Sequence, residues 1–264
     1  NVPCLTAAKI DCCVLANNHV LDWGRAGLEE TLRSLRSAGI GTAGAGLNLC
    51  EALSPCIIDF GAGRLLIFAF ATDDSGTPQW WSATATKPGI SFLPDLSEST
   101  ATHVSEQINA VKRPGDIAVV SLHWSGNWGY EIPPHQRAFA HRLIDSSAAD
   151  VIHGHSSHHR KAIEIHQGKP ILYGCGDFIN DYEGIEGYEE YRTQLVLAYF
   201  VTLDRSTHRL VRIEMTPFET YRFSLRRVSA ADACWLKGIL DREGKPFGTR
   251  VTINQDNRLQ IDVV

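Results

Sequence analysis

The chain has 264 residues, 44% of them hydrophobic, with a formal charge of -5. That is enough apolar material for one large domain with a filled core and too little for two comfortable ones, so a single domain over 1–264 is expected. The acidic balance, without any basic stripe, argues against a nucleic-acid groove, and the longest apolar runs, "LLIFAFA" at 65–71 and "LVLAYFV" at 195–201, are far too short to span a bilayer. No membrane segment is expected in the visible chain.

Seven cysteines is an odd count, and Cys12 beside Cys13 in an apolar run does not read as a disulfide framework. They are expected as reduced core thiols, which favours a cytoplasmic location. A surface-associated one stays open, because the chain begins at Asn1 and an upstream signal or anchor would not be seen.

"KIDCCVLANNH" at 9–19 reads as a buried strand that hands its last polar residues to a loop. Leu28, Leu32 and Leu35 then recur at helical spacing from Gly24 to a terminating Gly39. Strands follow at about 56–60 and 64–71, then an irregular stretch holding Trp80 and Trp81, a helix at about 99–112, the strand "DIAVVSLHW", and a helix from Pro134 to Ser147. Strand and helix alternate, which favours α/β layering. Beyond residue 160 the texture turns to strands: "KAIEIH", "KPILYG", "TQLVLAYFVTLD", "RLVRIEMTP" and "TYRFSL", with a hairpin around "RSTH". A helix at about 229–242 and a closing hairpin around "NQDN" end the chain. The expected fold class is α/β (α+β), a mixed β-sandwich with helices on its outer sides.

Residues 153–159, "HGHSSHH", gather four of the eleven histidines. Imidazoles are costly to bury unpaired and repel one another once protonated, so the cluster asks for a compensating partner such as a metal ion; a solvated His-rich loop is the plain alternative. Three segments share one design: "VLANNH" ends a strand with Asn17, Asn18 and His19, "VVSLHW" with His123, and "DVIHGHSSHH" with His155 and, beyond it, His158. An N/O donor set of this kind suits Zn, Mn, Fe or Co, and no thiolate spacing suggests a structural zinc knot. At any single position a capping or hydrogen-bonding histidine is the plainer reading.

The blocks "VLANNHVLDWGRAGLEETLRSLRSAGIGTAGAG", "SLHWSGNWGYEIPPHQRAFAHRLIDSSAADVIHGHSSHH" and "KPILYGCGDFIND" resemble successive signatures of the bacterial capsule-synthesis CapA proteins, also called poly-gamma-glutamate biosynthesis proteins. That family is similar to the calcineurin-like metallophosphoesterases. The resemblance runs from about residue 8 to 204, leaving 205–264 as a β-rich extension. It implies Asn18, His123, His155 and His158 as ligands of one or two divalent ions, His19 as proton donor to the leaving group, and Asp22 as its helper. Family members usually carry a third histidine inside the last motif, where this chain has Ser156. His153 is expected behind the site or in the core, and His159 at its rim, meeting an anionic substrate. Trp124, Asn127, Tyr130 and Glu131, with His159, are the expected substrate contacts. Trp80, Trp81 and Trp128 are further candidates to wall the pocket.

The family's first carboxylate and histidine ligands lie upstream of the "ANNH" block, and only Asp11 precedes it here. The fold is therefore expected without its first strands and with a second metal in doubt; Asp177 or Asp181 in "GDFIND" would compensate, or simply cap a loop. Either the chain is a piece of a longer protein, the favoured reading because it does not begin with methionine, or it self-associates into a homo-oligomer. The implied activity is metal-dependent hydrolysis of a phosphoester, carboxylic ester or amide in a small-molecule or polymeric anionic substrate. Two rivals stand beside it: a non-catalytic accessory role in making an anionic polymer, and a metal-independent esterase built on Cys175 with a nearby histidine.

Overall fold

The computed structural model describes residues 2–61, 63–180 and 185–262. It divides into two compact units, Asn1–Gly126 with Pro134–Ile152, and Asn127–Pro133 with His153–Val264. Both mix sheet and helix, so the protein is mixed α/β.

In the first unit the elements are α1 (Val2–Ala7), β1 (Cys12–Val14), α2 (Gly24–Ser37), β2 (Gly41–Ala43), β3 (Ala45–Gly46), α3 (Leu49–Leu53), β4 (Cys56–Asp59), β5 (Arg64–Ala71), β6 (Gly89–Ile90), α4 (Glu98–Val111), β7 (Ile117–His123) and α5 (Pro134–Asp145). β8 (Val151–His155) starts here and ends in the second unit. The anticipated first strand is only three residues long, with residues 9–11 of its run ahead of it and 15–19 in the loop beyond it.

β5 runs parallel to β7, from Leu65 opposite Ile117 to Ala71 opposite His123, and antiparallel to β4. Ala118, Val120 and Leu122 of β7 share one face of the strand and have at most 1% exposure, so that face lies against the core. On α2, Leu28, Leu32 and Leu35 form the buried stripe that their spacing dictates, each burial contributing about 1.5–3 kcal/mol. Gly39 takes the left-handed conformation after the helix, φ 74°. Ser97 caps α4 by accepting a hydrogen bond from the Thr100 amide.

Glycine decides the closest approach in this unit. Gly44, at φ 86°, sits where a Cβ would lie 2.7 Å from the Cβ atoms of both Ala16 and Ala69, so the turn between β2 and β3 lies directly on the ends of β1 and β5. Buried charge is paired. Asp116, ahead of β7, accepts from the Arg64 guanidinium and the Arg113 amide, while Lys112 lies 2.7 Å from Asp150.

The second unit holds β9 (Ile163–His166), β10 (Lys169–Leu172), β11 (Leu195–Leu203), β12 (Leu210–Tyr221), β13 (Ser224–Arg227), α6 (Ala230–Gly244), β14 (Thr252–Ile253) and β15 (Leu259–Asp262). β9 and β10 form a hairpin, and β11, β12, β15 and β14 follow one another in an antiparallel sheet, with β13 also on β12. "TYRFSL" contains a turn where a strand is expected: Tyr221 pairs with Ser224, and Arg222 and Phe223 between them have φ 48° and 57°. Two consecutive left-handed residues match the right-handed twist of the flanking strands, which is why the chain reverses there. Ser229 caps α6, whose Ala233, Leu236 and Leu240 face inward. Among the described residues no helix is long and apolar enough to cross a membrane.

The cysteines depart from the expected core thiols. Only Cys56 is buried; Cys4, Cys50 and Cys234 are exposed, and Cys12, Cys13 and Cys175 are intermediate.

Candidate functional site

In the first unit the loop after β1 is shaped by its two asparagines differently. Asn17 turns back on the chain, its Oδ1 accepting from the amides of His19 (2.9 Å) and Val20 (2.8 Å). Asn18 points elsewhere: its Nδ2 lies 3.5 Å from where a Cβ of Gly76 would be. His19 Nδ1 is 2.8 Å from Asp22 Oδ2, an exposed pair in which the carboxylate orients the ring.

Gly76 ends a loop that continues β5 as "TDDSG", and this loop is tied to the end of β7. The Thr72 amide donates to the His123 carbonyl (3.0 Å), and Asp74 Oδ1 accepts from the Thr72 hydroxyl and from the Ser125 amide. His123 is thus tied to the 72–77 loop by hydrogen bonding, and Asn18 lies beside its Gly76. Thr72, Asp73 and Asp74, with Asp95, Ser97 and His135, also line a cavity of about 360 Å³. Asp73 and Asp74 were not among the expected site residues, although they close an apolar strand run with a polar burst, the same signal carried by "VLANNH" and "VVSLHW". His123 is buried at 6% exposure. Trp124, expected to touch substrate, is fully buried and Trp81 is buried, whereas Trp80 is 69% exposed.

The second unit holds the histidine cluster. His153 and His155, two residues apart on β8, share a face with their rings stacked 5.4 Å apart. Burial pushes the His153 ring down to about 4, so it is neutral at physiological pH. Ser156, where family members carry the extra histidine, has φ 110°, a strained conformation for a residue with a Cβ, and Ser125 beyond His123 has φ 57°. His158 Nδ1 lies 3.1 Å from both carboxylate oxygens of Asp177, and its amide donates to the Asn127 carbonyl. Asp181 lies outside the described residues.

His159 differs from its expected place at a rim. It is 2% exposed, stacked on Tyr191 at 4.3 Å and edge-on to Tyr130 at 4.7 Å. Burial pushes it down to about 4, so it is a neutral ring at physiological pH and offers no cation to an anionic substrate. Its Nδ1 contacts the Arg160 carbonyl, and its Nε2 is buried with no hydrogen-bond partner among the described residues. Around it, Trp128 stacks on Tyr188 at 3.8 Å, and the buried Arg160 donates to the carbonyls of Tyr191, Arg192 and Leu195 while lying over the Trp235 ring. Glu131 is exposed. None of Tyr188, Tyr191, Arg160 or Trp235 carried a sequence signal; they are assembled by contacts distant in the chain. Burial pushes the Cys175 thiol up to about 12, the reverse of what a cysteine nucleophile needs.

The fold and these residues define a mixed α/β protein that presents histidine, asparagine and carboxylate donors at strand ends. Residues 1–182 match the family of bacterial capsule synthesis proteins described as PGA_cap, and the chain belongs to that family. It is 44% identical over 263 residues to a "probable polyglutamine synthesis accessory protein" of Mycobacterium tuberculosis, covering 99% of this chain and 69% of that protein. It is 29% identical over 206 residues to the PGA biosynthesis protein CapA of Bacillus subtilis, covering 78% of this chain and 50% of that one. A solved phosphatase from Mycoplasma pneumoniae overlaps 84% of this chain and 77% of its own, with TM-score 0.49 and 11% identity.

Proposed function

We propose that this chain is a metal-dependent hydrolase of the metallophosphoesterase type, acting in poly-gamma-glutamate or capsule metabolism. The observation that carries the proposal is the His158–Asp177 pair: a carboxylate on Nδ1 fixes the ring and its tautomer and leaves Nε2 as the donor, the arrangement in which histidines ligate metals. In the second unit His155 and His158 are the residues proposed to bind metal, and Asn18 and His123 are the candidate donors within the first unit. Their nitrogen and oxygen donors fit Mn, Zn, Fe or Co. A bound ion supplies Lewis-acid polarisation of the scissile group. His19 gives a proton to the leaving group, with Asp22 holding its Nδ1 so that Nε2 faces outward as the acid. Asn127, Tyr130 and Glu131 are the proposed substrate contacts.

A second reading, an accessory role in anionic-polymer synthesis without catalysis, is favoured by the similarity to the Mycobacterium tuberculosis protein named as a probable polyglutamine synthesis accessory protein. Metal analysis of the purified protein, with chromogenic phosphate monoesters, diesters and carboxylic esters, separates the two. Metal-dependent turnover that is lost with EDTA and restored by Mn or Zn supports the hydrolase. Stoichiometric metal without turnover of any ester class leaves the accessory reading.

A further inference from the structure

We propose that Cys12 and Cys56 form an oxidisable pair that closes to a disulfide between β1 and β4. β1 and β2 are parallel, with Cys12 directly opposite Gly41. Registered neighbours in adjacent strands, about 4.8 Å apart, project to the same face. Gly41 has no side chain there, and the Cys56 sulfur fills the gap: it lies 2.3 Å from the position a Gly41 Cβ would take, with the Cys56 Cβ at 3.7 Å. The Cys56 thiol therefore stands in the slot beside the Cys12 side chain, and Cys13, one residue on, projects to the opposite face. Any residue but glycine at 41 would expel the sulfur.

The two thiols interact directly. A hydrogen bond from Cys12 is the main influence lowering the Cys56 thiol, while the same contact raises Cys12. The contact favours ionisation of Cys56 over Cys12, the division of labour between attacking and resolving thiols. A metal site is the rival use of such a pair. It needs a third donor, and among the described residues no His, Cys, Asp or Glu atom lies within 4.8 Å of both sulfurs.

Cys56 is 6% exposed, so the oxidant must be small, and hydrogen peroxide is the class that fits. The Cys56 thiolate attacks one peroxide oxygen, the O–O bond breaks, and hydroxide leaves; it takes up the proton that Cys56 lost, giving Cys56 sulfenic acid and water. The Cys12 sulfur then attacks the Cys56 sulfur, the S–O bond breaks, and the departing hydroxide takes the Cys12 proton and leaves as water. The net change is two thiols and one peroxide to one disulfide and two waters. The bond would tie β1, whose end delivers Asn18 and His19, to β4.

The test is peroxide treatment of the native chain, alkylation of remaining thiols under denaturing conditions, and non-reducing peptide mapping with fragmentation to resolve Cys12 from Cys13 and Cys50 from Cys56. The expected product is a Cys12–Cys56 cross-linked peptide that persists in Cys13→Ser and Cys50→Ser. It should be absent in Cys12→Ser, where dimedone labels Cys56 as the stranded sulfenic acid. Cross-links that instead join Cys13 or Cys50, or full alkylation of both Cys12 and Cys56 after peroxide, would overturn the proposal.

Discussion

His158 presents its Nδ1 at 3.1 Å from both oxygens of Asp177, and the two side chains are equally sheltered, each 19% exposed. The pair joins the loop after β8 to the "GDF" turn, so residues 19 positions apart orient a single ring. Asp177→Asn keeps the shape of the side chain but removes its charge. Metal affinity, read by titration calorimetry, is expected to fall about 10–100-fold with little change in melting temperature. Unchanged affinity would detach Asp177 from metal binding.

His19 and Asp22 form the other histidine–carboxylate pair, and it is exposed rather than sheltered. A positioned acid contributes to rate without contributing to metal content. His19→Ala is therefore expected to lower hydrolysis by about 10²-fold or more while bound metal per chain stays constant. Asp22→Asn should cost less, since the ring remains present but is less firmly held. Equal turnover in wild type and His19→Ala would remove His19 from the mechanism.

Asp116 gives a pH-dependent stability with a definite sign. Hydrogen bonding from Arg64 holds its carboxyl down at about 2, against 3.8 for the free side chain. The stabilisation is thus fully present above about pH 4 and is lost as pH falls through 3.8 towards 2. Asp116→Asn leaves the Arg64 guanidinium without its counter-charge and should cost about 3 kcal/mol at neutral pH. Denaturant melts of the two proteins should converge as the pH approaches 2. A gap that stays constant over that range would place the effect in packing instead of charge.

Gly44→Ala is expected to be severe for its size. The new methyl would meet two alanine Cβ atoms at 2.7 Å, and the backbone there has φ 86°. Clash and strain together predict a loss of about 2 kcal/mol or more. Because one of those alanines is Ala16, the Asn17–Asp22 loop should shift with it, which proton chemical shifts of the His19 ring would report. A neutral melting temperature would mean that the turn moves aside freely.

Periodicity alone carried much of the fold. Leu28, Leu32 and Leu35 announced α2, the apolar runs announced β5 and β7, and the strand-rich second half announced the antiparallel sheet, because burial of one face imposes a period that survives in the sequence. The hairpin turn at Arg222 and Phe223 was illegible: neither is a usual left-handed residue, and the pairing of the strands on either side forces the turn. Strand-end histidines and asparagines were legible as candidates, since local order alone places them at loops. Their partners were not, because contact between Asp177 and His158, or between Tyr191 and His159, depends on how distant segments pack.

Protonation and exposure were likewise settled in three dimensions. His159 reads as one more histidine in "HGHSSHH", yet aromatic rings around it strip away water and keep it neutral, while His19, in an equally polar stretch, stays in solvent. Cys56 has no sequence neighbour to mark it, and its meeting with Cys12 exists only because Gly41 leaves a gap between strands. The sequence by itself determined which segments become helix or strand and which donors lie at strand ends, since those follow from local periodicity and chain order. Tertiary packing decided which of those donors are desolvated, paired or in reach of one another, because the energies of burial and of charge depend on neighbours far along the chain.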